Sequence, residues 1–166
     1  EQELRLKDQL STISQTFSEV SLSYKVFNGL NISIPYRYAV FGDKIKQKKS
    51  LSVTYKYGIK PISIKYRTKL QRIYEKGESL EDLVRNKITI KYKLSKIIEP
   101  FFSGEIFHQF NTDDDQLDEH RVSIGMAIDL PKKKSIKIFY IYKKEDLTKI
   151  NPDKIIVFGI NFKFNL

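Results

Sequence analysis

The sequence has no cysteine, which excludes disulfides and thiolate metal sites. A cysteine-free chain is compatible with an oxidising envelope. Tryptophan is absent, methionine occurs once, and there are only seven glycines and five prolines in 166 residues. No stretch approaches the ~20 continuous apolar residues that a transmembrane helix needs. Glu1-Gln2-Glu3 carries no signal-peptide pattern, so the start reads as that of a mature or trimmed chain. Helical periodicity is scarce throughout.

What is present is basic charge, aromatic side chains and alternation. Lys and Arg outnumber Asp and Glu by 30 to 20, for a formal net charge of +10, and there are ten Tyr and eleven Phe. Such a balance points to nucleic acid, to anionic lipid, or to basic residues lining an interior. The length suits one domain spanning 1–166.

Period-two alternation recurs along the chain. In the last run Ile156, Phe158, Ile160, Phe162, Phe164 and Leu166 share one face, opposite Val157, Gly159, Asn161, Lys163 and Asn165. Successive strand side chains point to opposite faces, so this is a strand. Upstream, Val122, Ile124, Met126, Ile128 and Leu130 oppose Arg121, Ser123, Gly125, Ala127 and Asp129. The same pattern places Ile88, Ile90, Tyr92 and Leu94 on one face, then Ile62, Ile64, Tyr66 and Leu70. It continues with Leu51, Val53, Tyr55 and Tyr57, with Ile32, Ile34, Tyr36 and Tyr38, and with Val20, Leu22, Tyr24 and Val26. Two further strands are less regular, one around Phe102, Ile106 and Phe110, the other around Ile136 to Tyr142, where Phe139 and Ile141 blur the pattern. Leu4 and Leu6 against Glu3, Arg5 and Lys7 suggest a tenth.

Short connections fall at Asn28-Gly29, Gly58 to Pro61, Ser95-Lys96 and Pro131 to Lys134, and Asn-Gly is the strongest hairpin signal among them. Longer, charged connections fall at Asp43 to Lys49, Glu75 to Asp82, Asn111 to Asp118 and Lys143 to Asp153. Short turns at one end and longer loops at the other are the habit of an up-and-down membrane barrel. Pro35 lies mid-strand, where a ladder bond is lost, and predicts a bulge.

Volume decides which face is outside. About ten strands with roughly five apolar residues each put about fifty large side chains on one face. The packed interior of an eight-stranded barrel holds only about twelve. The apolar face therefore points outward into lipid. Runs of this length suit tilted strands crossing a bilayer, whereas sandwich strands are shorter, at about five or six residues. The expected fold is all-β: a single antiparallel up-and-down transmembrane β-barrel of about ten strands in the bacterial outer membrane. Phe158, Ile160, Phe162, Phe164 and Leu166 then form a candidate C-terminal insertion signal, which ends on leucine rather than on an aromatic residue.

Five segments carry a family resemblance: Phe17-Ser-Glu-Val-Ser-Leu-Ser-Tyr-Lys25, Ile34-Pro-Tyr-Arg-Tyr38, Glu99-Pro-Phe-Phe-Ser-Gly-Glu-Ile-Phe107, His120-Arg-Val-Ser-Ile-Gly-Met126 and Phe158-Gly-Ile-Asn-Phe162. In this order they resemble an uncharacterised family of Bacteroidota outer-membrane proteins, domain of unknown function 2490. The resemblance covers nearly the whole chain and implies an outer-membrane barrel with no established activity. It also implies an arginine-containing first strand, matched by Leu4-Arg5-Leu6, and so ten strands.

The polar face holds Glu19, Arg37, Arg67, Arg85, Glu105, Arg121 and Asp129, read as a lumen network that fills a narrow barrel. His108, His120 and Asp113 to Asp115 suggest a loop metal site or a protease, but a solvated loop accounts for them more simply. Lys44, Lys46, Lys48 and Lys49 fall in an expected extracellular loop, where charge attraction to lipopolysaccharide phosphate is one reading and a simply solvated loop the favoured one. Tyr and Lys alternate onto opposite faces, whereas a nucleic-acid platform needs stacking and charge on the same face, so no nucleic-acid partner is expected. No phosphate loop, metal motif, cofactor site or catalytic set appears.

The expected function is a non-enzymatic outer-membrane barrel, a structural or accessory subunit of a larger outer-membrane complex, with outer-membrane lipid, lipopolysaccharide and other outer-membrane proteins as partners. The alternatives are a narrow pore for ions or small solutes and a soluble lipocalin-like lipid carrier.

Overall fold

A computed structural model describes residues 2–7, 12–41, 44–75, 77, 80–110, 116–131 and 134–164. Ten strands follow one another without an intervening helix among the described residues. They are β1 (Gln2–Lys7), β2 (Thr12–Phe27), β3 (Leu30–Phe41), β4 (Lys44–Ile59), β5 (Ile62–Glu75), β6 (Glu81–Tyr92), β7 (Ile98–Phe110), β8 (Gln116–Leu130), β9 (Lys134–Glu145) and β10 (Asp153–Phe164). Each pairs with the next in one antiparallel meander ordered β1 to β10. Among the described residues no pairing joins β1 to β10, so the sheet is open at this edge.

From β2 onward the strands run 12 to 16 residues, longer than the alternation alone suggested. The difference lies at the expected long loops. β4 begins at Lys44 and β6 at Glu81, β8 begins at Gln116, and β9 continues to Glu145. Charged residues there were read as loop, but ladder hydrogen bonds and cross-strand ion pairs hold them in strands. The contrast between long and short connections is correspondingly smaller than expected, with residues 146–152 the longest connection described throughout.

The Asn28-Gly29 turn is as read: Gly29 has φ +89°, and a Cβ there would lie 2.4 Å from the carbonyl oxygen of Lys56. Pro35 makes no bulge. β2 and β3 keep one register through Ser21↔Pro35. On the other side, β3 pairs with β4 at Ser33↔Ser52 and resumes at Tyr36↔Lys49 in the same register. The missing N–H interrupts one ladder without shifting it.

Two sets of side chains result. Register places Phe17, Glu19, Arg37, Ala39, Lys48, Ser50, Lys69, Gln71, Arg85, Glu105 and Arg121 on one face. That face is concave, because a single cavity on it is lined by residues of five successive strands, from Lys87 on β6 to Asn161 on β10. The opposite, convex face is apolar and open, with Val20 69%, Leu22 75%, Tyr24 71% and Phe158 70% exposed. Among the described residues the buried hydrophobic ones are Phe17, Ala39, Ile73, Phe101 and Phe107, all on the concave side.

Candidate functional site

The concave face is built around Glu105, which is 5% exposed. Arg85 donates to its Oε1 from Nη2 at 2.8 Å and from Nε at 3.2 Å, and Arg67 donates to the same oxygen at 3.2 Å. Lys87 donates to Oε2 at 3.3 Å. One carboxylate thus holds three cations from two strands. Arg85 also donates to Gln71 Oε1 at 3.0 Å, and Gln71 donates to Ser50 Oγ at 3.3 Å, which carries the network to β4. No buried side-chain polar atom among the described residues lacks a partner, as buried polar groups require.

Aromatic rings on this face support the guanidiniums. Arg85 and Arg121 each lie 4.4 Å from the Phe107 ring centroid, and Arg37 lies 3.8 Å from that of Phe17. These are cation–π distances. Arg37 Nε donates to Glu19 at 2.8 Å. Arg121 faces Glu105 in register but donates to Glu119, which is buried.

Six of the seven residues expected in the lumen network lie on the concave face in ion pairs: Arg67, Arg85 and Glu105 share one cluster, Glu19 and Arg37 form a separate pair, and Arg121 pairs with Glu119. Asp129 is the exception. It is exposed near the β8–β9 turn, its backbone N–H donates to the carbonyl of Ile97 at 2.8 Å, and among the described residues it has no ionic partner. Gln71, Ser50, Glu119 and Phe107 were missed. The first three lie beyond the strand ends that the alternation suggested, and Phe107 is an aromatic on the polar face. Extending the odd-numbered parity past Lys69 and before Arg121 would have found Gln71 and Glu119.

The Lys44 to Lys49 cluster is corrected as well. It belongs to β4. Lys44 and Lys46 pair with Glu75 at 3.5 and 3.0 Å, and alternation turns Lys49 to the convex face, away from Lys48. His108 and His120 lie on the convex face, and the His120 ring is 6.3 Å from that of Tyr142. Asp113 to Asp115 lie outside the described residues, among which no group of residues is arranged to hold a metal ion. In the expected insertion signal Phe158, Ile160 and Phe162 are exposed on the convex face. Phe164 ends β10, and Leu166 lies outside the described residues.

The blurred strand around Phe139 also finds its reason. Phe139 points inward and lies opposite Gly159 on β10 and Gly125 on β8. A Cβ on Gly159 would stand 2.4 Å from its ring. The glycines make room for an inward aromatic ring.

The family described as "Protein of unknown function (DUF2490)" matches residues 1–153. The chain belongs to this family. No curated protein matches it. A solved structure described as "Bacterial polysaccharide outer membrane secretin" is similar in fold, with a TM-score of 0.68 at 9% sequence identity. The similarity covers 89% of this chain and 55% of that one, so the chain spans about half the length of the protein it matches. At that identity the likeness concerns the fold: an all-β antiparallel sheet akin to that of an outer-membrane protein.

Proposed function

We propose that the chain is a non-enzymatic β-barrel of the bacterial outer membrane, in a Bacteroidota envelope, that serves as a structural or accessory subunit of a larger outer-membrane assembly. The carrying observation is the convex face. Its apolar stretches, such as Leu51 to Ile59 on β4 and Val122 to Leu130 on β8, are of similar length. Nine residues rising ~3.3 Å each at a tilt of about 40° span about 23 Å, near the ~25 Å apolar band of such barrels. The accessible surface is 12030 Å² for 19.5 kDa, whereas a soluble monomer of that mass exposes about 8,500 Å². Lipid covers the difference. A soluble lipid carrier would have its apolar face inward, the reverse of this arrangement.

In this reading β1 and β10 close on one another, because an unpaired edge in hydrocarbon leaves N–H and C=O groups unsatisfied at several kcal/mol each. The buried ion-pair network fills one part of the interior, and the connections described are short for a receptor, which supports a structural role over transport. Open cavities elsewhere on the concave face favour a second reading, a narrow solute pore.

The test is heat-modifiable gel migration of protein from a purified outer-membrane fraction. A compact unheated band that shifts on boiling is expected. Recovery in the soluble fraction without a shift would overturn the reading. A partner of defined stoichiometry retained after gentle detergent extraction supports the subunit role. Steady planar-bilayer conductance that heating abolishes would replace it with the pore.

A further inference from the structure

Three adjoining cavities line the concave face toward the β2–β3 and β4–β5 turns. The first, about 660 Å³, is lined by Lys25 and Lys56, among others. The second, about 390 Å³, shares Lys56 and adds Lys65 and Lys91. The third, about 280 Å³, shares Lys91 and adds Lys87 and Lys137. Shared lysines make them one trough. Among the described residues no aspartate or glutamate lines any of the three.

The inner arginines do not behave this way. Arg37, Arg67, Arg85 and Arg121 each engage a carboxylate. Of the lysines, Lys87 and Lys91 pair with Glu105 and Glu99. Among the described residues Lys25, Lys56, Lys65 and Lys137 have no ion pair. Lys56 and Lys65 lie directly opposite each other in the β4–β5 register, a cross-strand placement in which like charges are destabilising. Lys137 on β9 lines the same cavity as Lys87 and Lys91 on β6, so the sheet curls these charges toward one space. Lys137 lies 4.3 Å from the Phe101 ring centroid, a cation–π distance, but the facing Lys56 and Lys65 repel one another, and an anion bound between the strands would relieve that repulsion.

An ammonium is a compact point charge with three donors, so several lysines around one space bind phosphate oxygens by summed charge and hydrogen bonding rather than by a planar fork. We propose that this lysine trough is a binding site for phosphate oxyanions carrying more than one charge. Hydroxyl and amide groups at its wall, from Thr54, Ser63, Ser123 and Asn161, supply further donors. The site depends on the concave face alone, so its test is independent of the membrane reading.

The test titrates purified full-length protein, in detergent micelles where it needs them, with sodium pyrophosphate by calorimetry at constant ionic strength. Saturable binding is expected, displaced by inorganic phosphate and not by acetate at equal charge. The double variant Lys65→Gln with Lys137→Gln is expected to weaken it at least tenfold, and Lys49→Gln, on the convex face, to leave it unchanged. Far-ultraviolet circular dichroism verifies that each variant folds. If the double variant does not fold, Lys65→Arg and Lys56→Gln replace it, the first weakening binding less than threefold and the second more. Phosphatidic acid added to the micelles distinguishes two sources of the same chemistry. Displacement of pyrophosphate assigns a lipid headgroup, and its persistence assigns a free solute. Absence of saturable heat, equal displacement by acetate, or equal losses in the inward and Lys49→Gln variants would overturn the proposal.

Discussion

Arg67 donates to Glu105 at 3.2 Å although one lies on β5 and the other on β7. The bond crosses the intervening β6 on the concave face, where long side chains from alternate strands meet. Glu105 is also the point at which three cations converge. Glu105→Gln leaves them uncompensated in a buried setting, and destabilisation of about 3 kcal/mol is expected. Arg67→Gln, which removes one of the three, is expected to cost less. Urea unfolding of the reconstituted protein, followed by gel migration, measures both, and an equal effect of the two would contradict the central role of Glu105.

Glycines separate inner from outer positions. An added Cβ on Gly125 would lie 2.4 Å from the carbonyl oxygen of Ile138 and 2.6 Å from the Phe101 ring, whereas at Gly104 it would meet nothing within 4 Å. Gly125→Ala is expected to destabilise by about 1–3 kcal/mol through overpacking, and Gly104→Ala to be nearly neutral. Thermal midpoints of the two variants decide the point.

The convex face makes a prediction of its own. Ile124 is 60% exposed within the apolar stretch of β8. Arginine on the lipid face costs about 2–4 kcal/mol near the bilayer midplane. Ile124→Arg is therefore expected to impair folding into liposomes by that amount, and Ile124→Leu to have little effect. Unimpaired folding of Ile124→Arg would show that the position does not face lipid.

Asp118, outside the apolar stretch of β8, is the extra residue where the β7–β8 register shifts, and its carbonyl accepts from the N–H of Leu147 at 3.1 Å. Burial, reinforced by the charges of Asp146, Glu119, Glu81 and Glu145, holds its carboxyl above the ordinary range. The folded state therefore binds this proton more tightly than the unfolded state, and the stability it contributes is lost as pH rises from the ordinary carboxylate range through the raised value. Asp118→Asn is expected to raise the thermal midpoint at pH 7 and to leave it nearly unchanged at pH 4. An equal gain at both pH values would show that charge is not the cause.

The strands and their two faces were legible in the sequence because side chains alternate along any extended chain, and that periodicity needs no knowledge of neighbours. The turn at Asn28-Gly29 was legible for a similarly local reason, the demand for positive φ. The ends of strands were not, because Lys44 to Lys49 and Glu119 are charged residues that became strand only where a partner strand supplied ladder hydrogen bonds and, for Lys44 and Lys46, opposite charge. Nor could alternation show that Asp129 stands apart while Glu119 joins Arg121. The sequence by itself determined a basic, all-β chain with one apolar and one polar face. Only the tertiary structure decided which carboxylate each arginine takes and which lysines are left facing one another, because both depend on the register in which strands pair, which alternation along one strand does not carry.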